Sequence, residues 1–423
     1  MRAPRTRRAG AACTSAVLLG LGVACSGSSG LHHNTIAMPA DNVAEVFVDY
    51  GLPNIGYING LFATVTVCVP GSTSDCQSID HVLVDTGSAG LRLLGSVLTL
   101  SLPAFTSDSG VGLAECTQFI SGSIWGPLRS ADFKIANEQA SNIPIQVIEE
   151  STYPMPSDCT GTDISTPELL GANGILGLSS FAQDCGPPCA AALGTQSENP
   201  GTYYACASAA DGCQATAVPL AQQLSNPVVF FSQDNNGTIF ELPAIPAEGA
   251  PSVIGSLVFG IGTRDNNGLE QASVIQLDES GEFRTQYPTN STPTLAFVDS
   301  GSNAIYFLDS TTTHIPTCYD ALHPDISNFY CPNSTLNLSA KIQDSSGRVP
   351  LIVNFSVANA MTLASSQDNI AFDNLAGPSV PPSGQSFMPA YFDWGLPFHF
   401  GRNVFTAIAG QTTSAGQGPF VAF

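Results

Sequence analysis

Hydrophobic residues along this chain fall in short runs rather than in long helical stripes. Leu61-Phe62-Ala63-Thr64-Val65-Thr66-Val67, His81-Val82-Leu83-Val84 and Ile143-Pro144-Ile145-Gln146-Val147-Ile148 are examples. Such runs are rich in β-branched or aromatic residues and are punctuated along the chain by Gly, Pro and Asn, the pattern of strands separated by turns. Asp234-Asn235-Asn236-Gly237 and Asp265-Asn266-Asn267-Gly268 read as tight hairpin turns. Neither continues into the ligand spacing of an EF-hand, which disfavours calcium loops. With 40 glycines, 30 prolines and only 11% charged residues, long solvated helices are scarce. The expected fold class is all-β.

The first residues differ from the rest. Arg2, Arg5, Arg7 and Arg8 precede an apolar run from Ala16 to Val23, then Ala24-Cys25-Ser26-Gly27-Ser28-Ser29-Gly30. A basic start, a short apolar middle and a small residue before the break describe a secretory signal, residues 1–25. The run is too short to span a bilayer. Gly22-Val23-Ala24-Cys25 resembles a bacterial lipobox, with Gly22 where Leu is usual. Lipidation of Cys25 is therefore expected, with ordinary cleavage nearby as the alternative. Residues 26–57 then serve as tether and N-terminal strand. No later segment is long and apolar enough to be transmembrane.

Cysteines support an oxidising compartment. Two of the twelve lie in the leader, and the other ten sort by spacing into Cys68 with Cys76, Cys185 with Cys189, Cys206 with Cys213, and Cys318 with Cys331, leaving Cys116 and Cys159 for each other. Spacing alone does not prove connectivity. With no CxxC pair and no histidines at ligand spacing, no metal site and no cofactor are expected. The formal charge of −22 disfavours nucleic acid and anionic membranes as partners, leaving a membrane link only through the N-terminal lipid.

One internal repeat carries chemistry. Val84-Asp85-Thr86-Gly87-Ser88 recurs as Val298-Asp299-Ser300-Gly301-Ser302, about one domain length later. A weaker repeat follows each copy: Ile175-Leu176-Gly177, then Phe398-His399-Phe400-Gly401. A duplicated domain in which each half donates one acid accounts for this. Two carboxyls held close cannot both ionise cheaply, so one keeps a proton and the other acts as a base. Such a pair can activate water and protonate a leaving nitrogen. Gly87 and Gly301 allow close approach of the two loops. Thr86 and Ser300 carry hydroxyls able to bond across to the opposite backbone. Ser88 and Ser302 are placed to orient the outer carboxylate oxygens.

From about Gly60 to the C-terminus these residues resemble the pepsin-like aspartic peptidases. Leu61 to Val69 and Gln77 to Arg92 are similar to that family's opening hairpin and first Asp loop. Ala172-Asn173-Gly174-Ile175-Leu176-Gly177-Leu178 is similar to its Asp-Gly-Ile-Leu-Gly-Leu segment, Asn226 to Ser232 and Gly255 to Gly260 to its entry into the second lobe, and Phe398 to Phe405 to its closing strand. More narrowly, the chain resembles a bacterial branch of pepsin-like lipoproteins of uncharacterised function. The resemblance implies a bilobal fold with the cleft between pseudo-symmetric lobes, here 58–225 with Asp85 and 226–423 with Asp299. It implies an aspartic endopeptidase acting as a secreted or envelope-anchored monomer on peptide or protein substrates, with Asp85 and Asp299 catalytic.

Departures from the family pattern point to an alternative. The flap segment Gln118 to Gly126 places Phe119 where the family has tyrosine, with Gly122 and Trp125 nearby as further candidates for the substrate cleft. Arg92 stands where Trp is usual, and Arg402 where Asp is usual. No basic prosegment lies between Ser26 and Tyr57. Residues 184–217, with four cysteines, read as an insertion that either borders the cleft or braces the first lobe. Val48-Asp49-Tyr50-Gly51 mimics the active motif but lacks its hydroxyls and reads as a strand end, and His81 reads as structural. A weakly active or inactive pepsin-fold envelope or binding protein is the second reading. No Gly-x-Ser-x-Gly element or unpaired mature cysteine supports another nucleophile.

Overall fold

The runs rich in Val, Ile, Phe and Thr form strands because their side chains pack on a pleated, half-buried surface. A computed structural model describes residues 36–149, 151–194, 199–208, 212–319, 324–347, 350–366, 368–379 and 391–423. The expected signal with Cys25, and residues 26–35 of the expected tether, lie outside the described residues. The fold is all-β and two-lobed. Among the described residues a 15-stranded sheet and a 7-stranded sheet supply most of the structure.

The strand Val43–Val48 joins the two halves. On one edge it pairs with Leu61–Cys68, with Val46 opposite Ala63. On the other it pairs antiparallel with Val253–Phe259, from Val43 opposite Val258 to Val48 opposite Val253. Gly237–Leu242 and Arg402–Ala407 continue the sheet beyond it. One large apolar cluster therefore draws on both ends of the chain, with Val46, Val84, Leu176, Phe240, Leu257 and Leu396 all buried. A second, aromatic-rich cluster around Phe307, Phe392, Trp394 and Phe398 fills the 7-stranded half.

Each Asp loop is held by the same small device. Cys76–Asp85 enters the first loop and Ala89–Leu94 leaves it. Gly174–Leu178 lies between them, parallel to the first (Val84 opposite Leu176) and antiparallel to the second (Leu91 opposite Leu176). In the second half Thr294–Val298 enters and Ile305–Phe307 leaves. Phe392–Trp394 lies between, with Val298 opposite Trp394 and Phe307 opposite Phe392. The counterpart of Ile175-Leu176-Gly177 is therefore Asp393-Trp394-Gly395. The expectation that Phe398-His399-Phe400-Gly401 fills that role is corrected. Those residues form a 3-10 turn, Leu396–Phe398, and the lead into Arg402–Ala407. The true counterpart carries an acid where the first copy has Ile175, which hides it from a search for two apolar residues before a glycine.

The two Asp-Asn-Asn-Gly loops also differ from expectation. Neither closes a hairpin: Gly237–Leu242 and Val253–Phe259 are joined at their other ends, through 243–252. The loops brace each other instead. Asn236 accepts from Ile261 N at 2.7 Å and donates to Ile261 O at 3.1 Å, and Arg264 Nε donates to the buried Asp234 at 2.6 Å. The four disulfides suggested by spacing and the remaining pair are all formed: Cys68–Cys76, Cys185–Cys189, Cys206–Cys213 and Cys318–Cys331, with Cys116–Cys159.

Candidate active site

The two Asp loops meet through a reciprocal set of hydrogen bonds. Thr86 N donates to Ser300 Oγ at 3.1 Å, and Ser300 N donates to Thr86 Oγ1 at 2.9 Å. Each hydroxyl then passes its own hydrogen onward, Thr86 to Val298 O at 3.1 Å and Ser300 to Val84 O at 2.8 Å. Both side chains are buried. The network satisfies six polar groups that the approach of the loops takes from water, and it fixes one loop's height against the other.

This clamp brings Asp85 and Asp299 within hydrogen-bonding distance of each other. Asp85 Oδ1 accepts from Gly87 N at 2.8 Å and Asp299 Oδ1 from Gly301 N at 2.8 Å. The outer oxygens accept from Ser88 Oγ and, at 2.9 Å, from Ser302 Oγ. The glycines are required by space. A Cβ on Gly301 would lie 2.6 Å from Asp85 Oδ1, and one on Gly87 would lie 2.9 Å from the Asp299 carboxyl carbon. Desolvation by the surrounding protein, then the charge of Asp85, then that of Asp393, push Asp299 well above the usual carboxyl range. The pair thus favours a state with one shared proton.

The flap candidates occupy a hairpin, Gly112–Phe119 and Gly122–Ile135. Phe119 lies on an apolar cluster with Phe62, Ile124 and Ile164. A Cβ on Gly122 would lie 2.3 Å from Thr162 O, so its place is against that chain segment. Trp125 is fully buried, its indole N–H donating to Tyr153 O at 2.8 Å, which leaves no donor for a substrate. Both edges of the hairpin are covered. Tyr203–Ser208 pairs with Gly112–Phe119, with Ala114 opposite Tyr204. On the other side Ser123 N donates to Thr162 O at 2.8 Å and Ile164 N to Ser123 O at 3.0 Å. The Cys116–Cys159 disulfide ties the two sides together. The cysteine-rich segment is therefore a brace for the hairpin.

Arg92 completes that brace. Its NH1 donates to Ala89 O at 2.7 Å, and its NH2 reaches Glu115 at 2.9 Å and Asp184 at 3.3 Å. Tyr203 OH donates to Asp184 at 2.5 Å and accepts from Leu224 N at 2.8 Å. Burial works against charge on Glu115, but Arg92 and its hydrogen-bond donors hold its carboxyl below the usual range. Burial and the neighbouring Glu115 push Asp184 well above it. The cluster therefore holds one cation and one anion, with a proton on the second acid. The other basic departure, Arg402, stands over the Phe398 ring at 4.6 Å and donates to Phe398 O at 2.7 Å.

Two residues at the dyad carry no signal in the sequence reading. Tyr57 packs edge-on against Phe62 at 5.8 Å and shares the apolar cluster of Phe119. Burial, then the charges of Asp85 and Asp299, push its hydroxyl up to about 12. Asp393 is buried in the strand between the two arms of the second loop, and its charge raises Asp299. Both residues reach the dyad from stretches without a matching motif. Among the described residues no cluster of three or more His, Cys, Asp or Glu side chains is placed to hold a metal.

Residues 38–423 match the model of the family described as "Protein of unknown function (DUF3443)". The chain belongs to the DUF3443 family. No curated protein matches it. Among solved structures, this DUF3443 protein is similar to the aspartic proteinase from Irpex lacteus, at 15% identity and a TM-score of 0.49, over 90% of this chain and 96% of that one.

Proposed function

We propose that this protein is an aspartic endopeptidase working outside the cytoplasm. The carrying observation is the pair of carboxyls at Asp85 and Asp299, held within hydrogen-bonding distance by the Thr86–Ser300 clamp. In this reading Asp299 holds the shared proton in the resting state and the Asp85 carboxylate takes a proton from the attacking water. The protonated carboxyl then serves the leaving nitrogen as acid. Gly87 N, Ser88, Gly301 N and Ser302 keep the carboxyls turned toward each other. An extended peptide would lie across both lobes beneath Phe119. Five disulfides favour an oxidising compartment. No helix among the described residues is long and apolar enough to cross a membrane. Anchoring through lipidated Cys25 belongs to the same proposal, and mass spectrometry of the mature N-terminus tests it.

The hairpin braced on both edges, with no hydroxyl on Phe119, favours the second reading, a pepsin-fold binding protein. A peptide library cleaved across pH separates the two. The enzyme is expected to work best at acidic pH, with Asp85→Asn and Asp299→Asn each losing roughly 10³-fold in rate. Equal cleavage by all three proteins, or none by the wild type, removes the peptidase reading.

A further inference from the structure

Two strands at one edge of the 7-stranded sheet, Leu336–Gln343 and Leu351–Val357, pair with Leu338 opposite Phe355. Between them and residues 397–402 lies a cavity of about 420 Å³, within the size range of small-molecule sites. Its described lining residues include neither acid of the dyad. Part of the wall is apolar, with Leu338, Phe355, Phe398 and Phe400. Two side chains of opposite charge, Arg402 and Asp373, line the same space.

Arg402 is fixed in place without being neutralised. Its guanidinium lies over the Phe398 ring at 4.6 Å, NH1 donates to Phe398 O at 2.7 Å and NH2 to Asn354 O at 3.3 Å. Both acceptors are backbone carbonyls, and a guanidinium has further N–H groups to offer. Arg92, Arg129 and Arg264 instead reach carboxylates, at 2.9, 3.9 and 2.6 Å. Among the described residues no carboxylate is in ion-pair contact with Arg402, Asp373 included. The two still sense each other across the gap. Burial raises Asp373 and lowers Arg402, and the charge of each opposes that shift in the other. Opposite charges that line one cavity without touching leave room for a molecule carrying the complementary pair.

We propose that this cavity binds a small zwitterion with an apolar side chain, an α-amino acid or a dipeptide. Its carboxylate bonds to the remaining N–H groups of Arg402, whose planar fork matches two carboxylate oxygens. Its ammonium turns to Asp373, and its side chain packs on Leu338, Phe355 and Phe400. A simple anion would meet Asp373 at close range, and a simple cation would meet Arg402. A ligand without net charge also suits a chain of formal charge −22, whose field repels anions. The inference does not depend on the chemistry of the dyad.

Isothermal titration of the full chain with L-phenylalanine and glycyl-phenylalanine tests this. Phenylalaninamide, which lacks the carboxylate, and hydrocinnamate, which lacks the ammonium, are titrated beside them. At least one of the two zwitterions is expected to saturate the protein at about millimolar concentration or below. The amide and hydrocinnamate should each bind about tenfold more weakly or worse. Arg402→Met should weaken the zwitterion by a similar factor, and Asp373→Asn should remove its advantage over hydrocinnamate. The ligand series is read on the wild-type chain, so the test stands even where a variant fails to fold. No saturable binding of either zwitterion overturns the proposal. So does binding of the amide or hydrocinnamate as tight as theirs, or a folded Arg402→Met protein that binds like wild type.

Discussion

Ser300 sits where the two halves meet and serves two buried backbone groups at once, accepting from Thr86 N and donating to Val84 O. Ser300→Ala leaves both unpaired in a site with no exposure, at about 1–3 kcal/mol for each group. Ser300→Thr keeps the hydroxyl and should lose much less. Urea unfolding of the two variants checks this, and a Ser300→Ala protein as stable as wild type would contradict the clamp. The clamp residues were visible in the repeat because a hydroxyl after each Asp is a local pattern. Asp393 was not visible, since the strand positions it pairs with, Phe297 and Tyr306, lie far from it in sequence. No spacing rule joins an acid on a late strand to an earlier loop.

Among the elements, the hairpin Gly112–Phe119 and Gly122–Ile135 depends on the buried cluster beneath it. Arg92→Met removes the cation and strands the Glu115 charge, which is expected to cost about 3–5 kcal/mol at neutral pH. The loss should shrink in acid, where Glu115 takes a proton, and Arg92→Met with Glu115→Gln should recover much of it. Denaturant unfolding near pH 7 and pH 4 reads both effects; a pH-independent loss would assign Arg92 to packing alone. The sequence marked Arg92 as a departure and residues 184–217 as an insertion, yet it did not connect them. The contact passes through Asp184 and Tyr203, which reach Arg92 only after Tyr203–Ser208 adds to the hairpin edge.

At the scale of the whole molecule, several buried acids keep protons that an unfolded chain would release. Asp393 is raised to about 8 by burial, and Glu241 and Glu138 to about 7, again chiefly by burial. Their folded values exceed their unfolded ones, so the folded state binds more protons between about pH 4 and pH 8. Stability should therefore be highest near the acid end of that window and fall as pH rises, by at most about 1.4 kcal/mol per pH unit for each group. Glu115 acts oppositely, below the ordinary carboxyl range. Thermal unfolding across pH should show this fall, with a shallower slope in Asp393→Asn; a midpoint that rises from acid to neutral pH would refute it. Local order in the chain determined the strands, the two Asp loops and four of the disulfides, since periodicity, a repeated pentapeptide and short cysteine spacings all act locally. Cys116 and Cys159, 43 residues apart, followed only as the remaining pair. Only the tertiary structure decided the true counterpart of Ile175-Leu176-Gly177, the bracing of the hairpin and the place of Asp393. Those features depend on which distant strands lie side by side, and burial between them is what sets the charge of an acid and the partner of a hydroxyl.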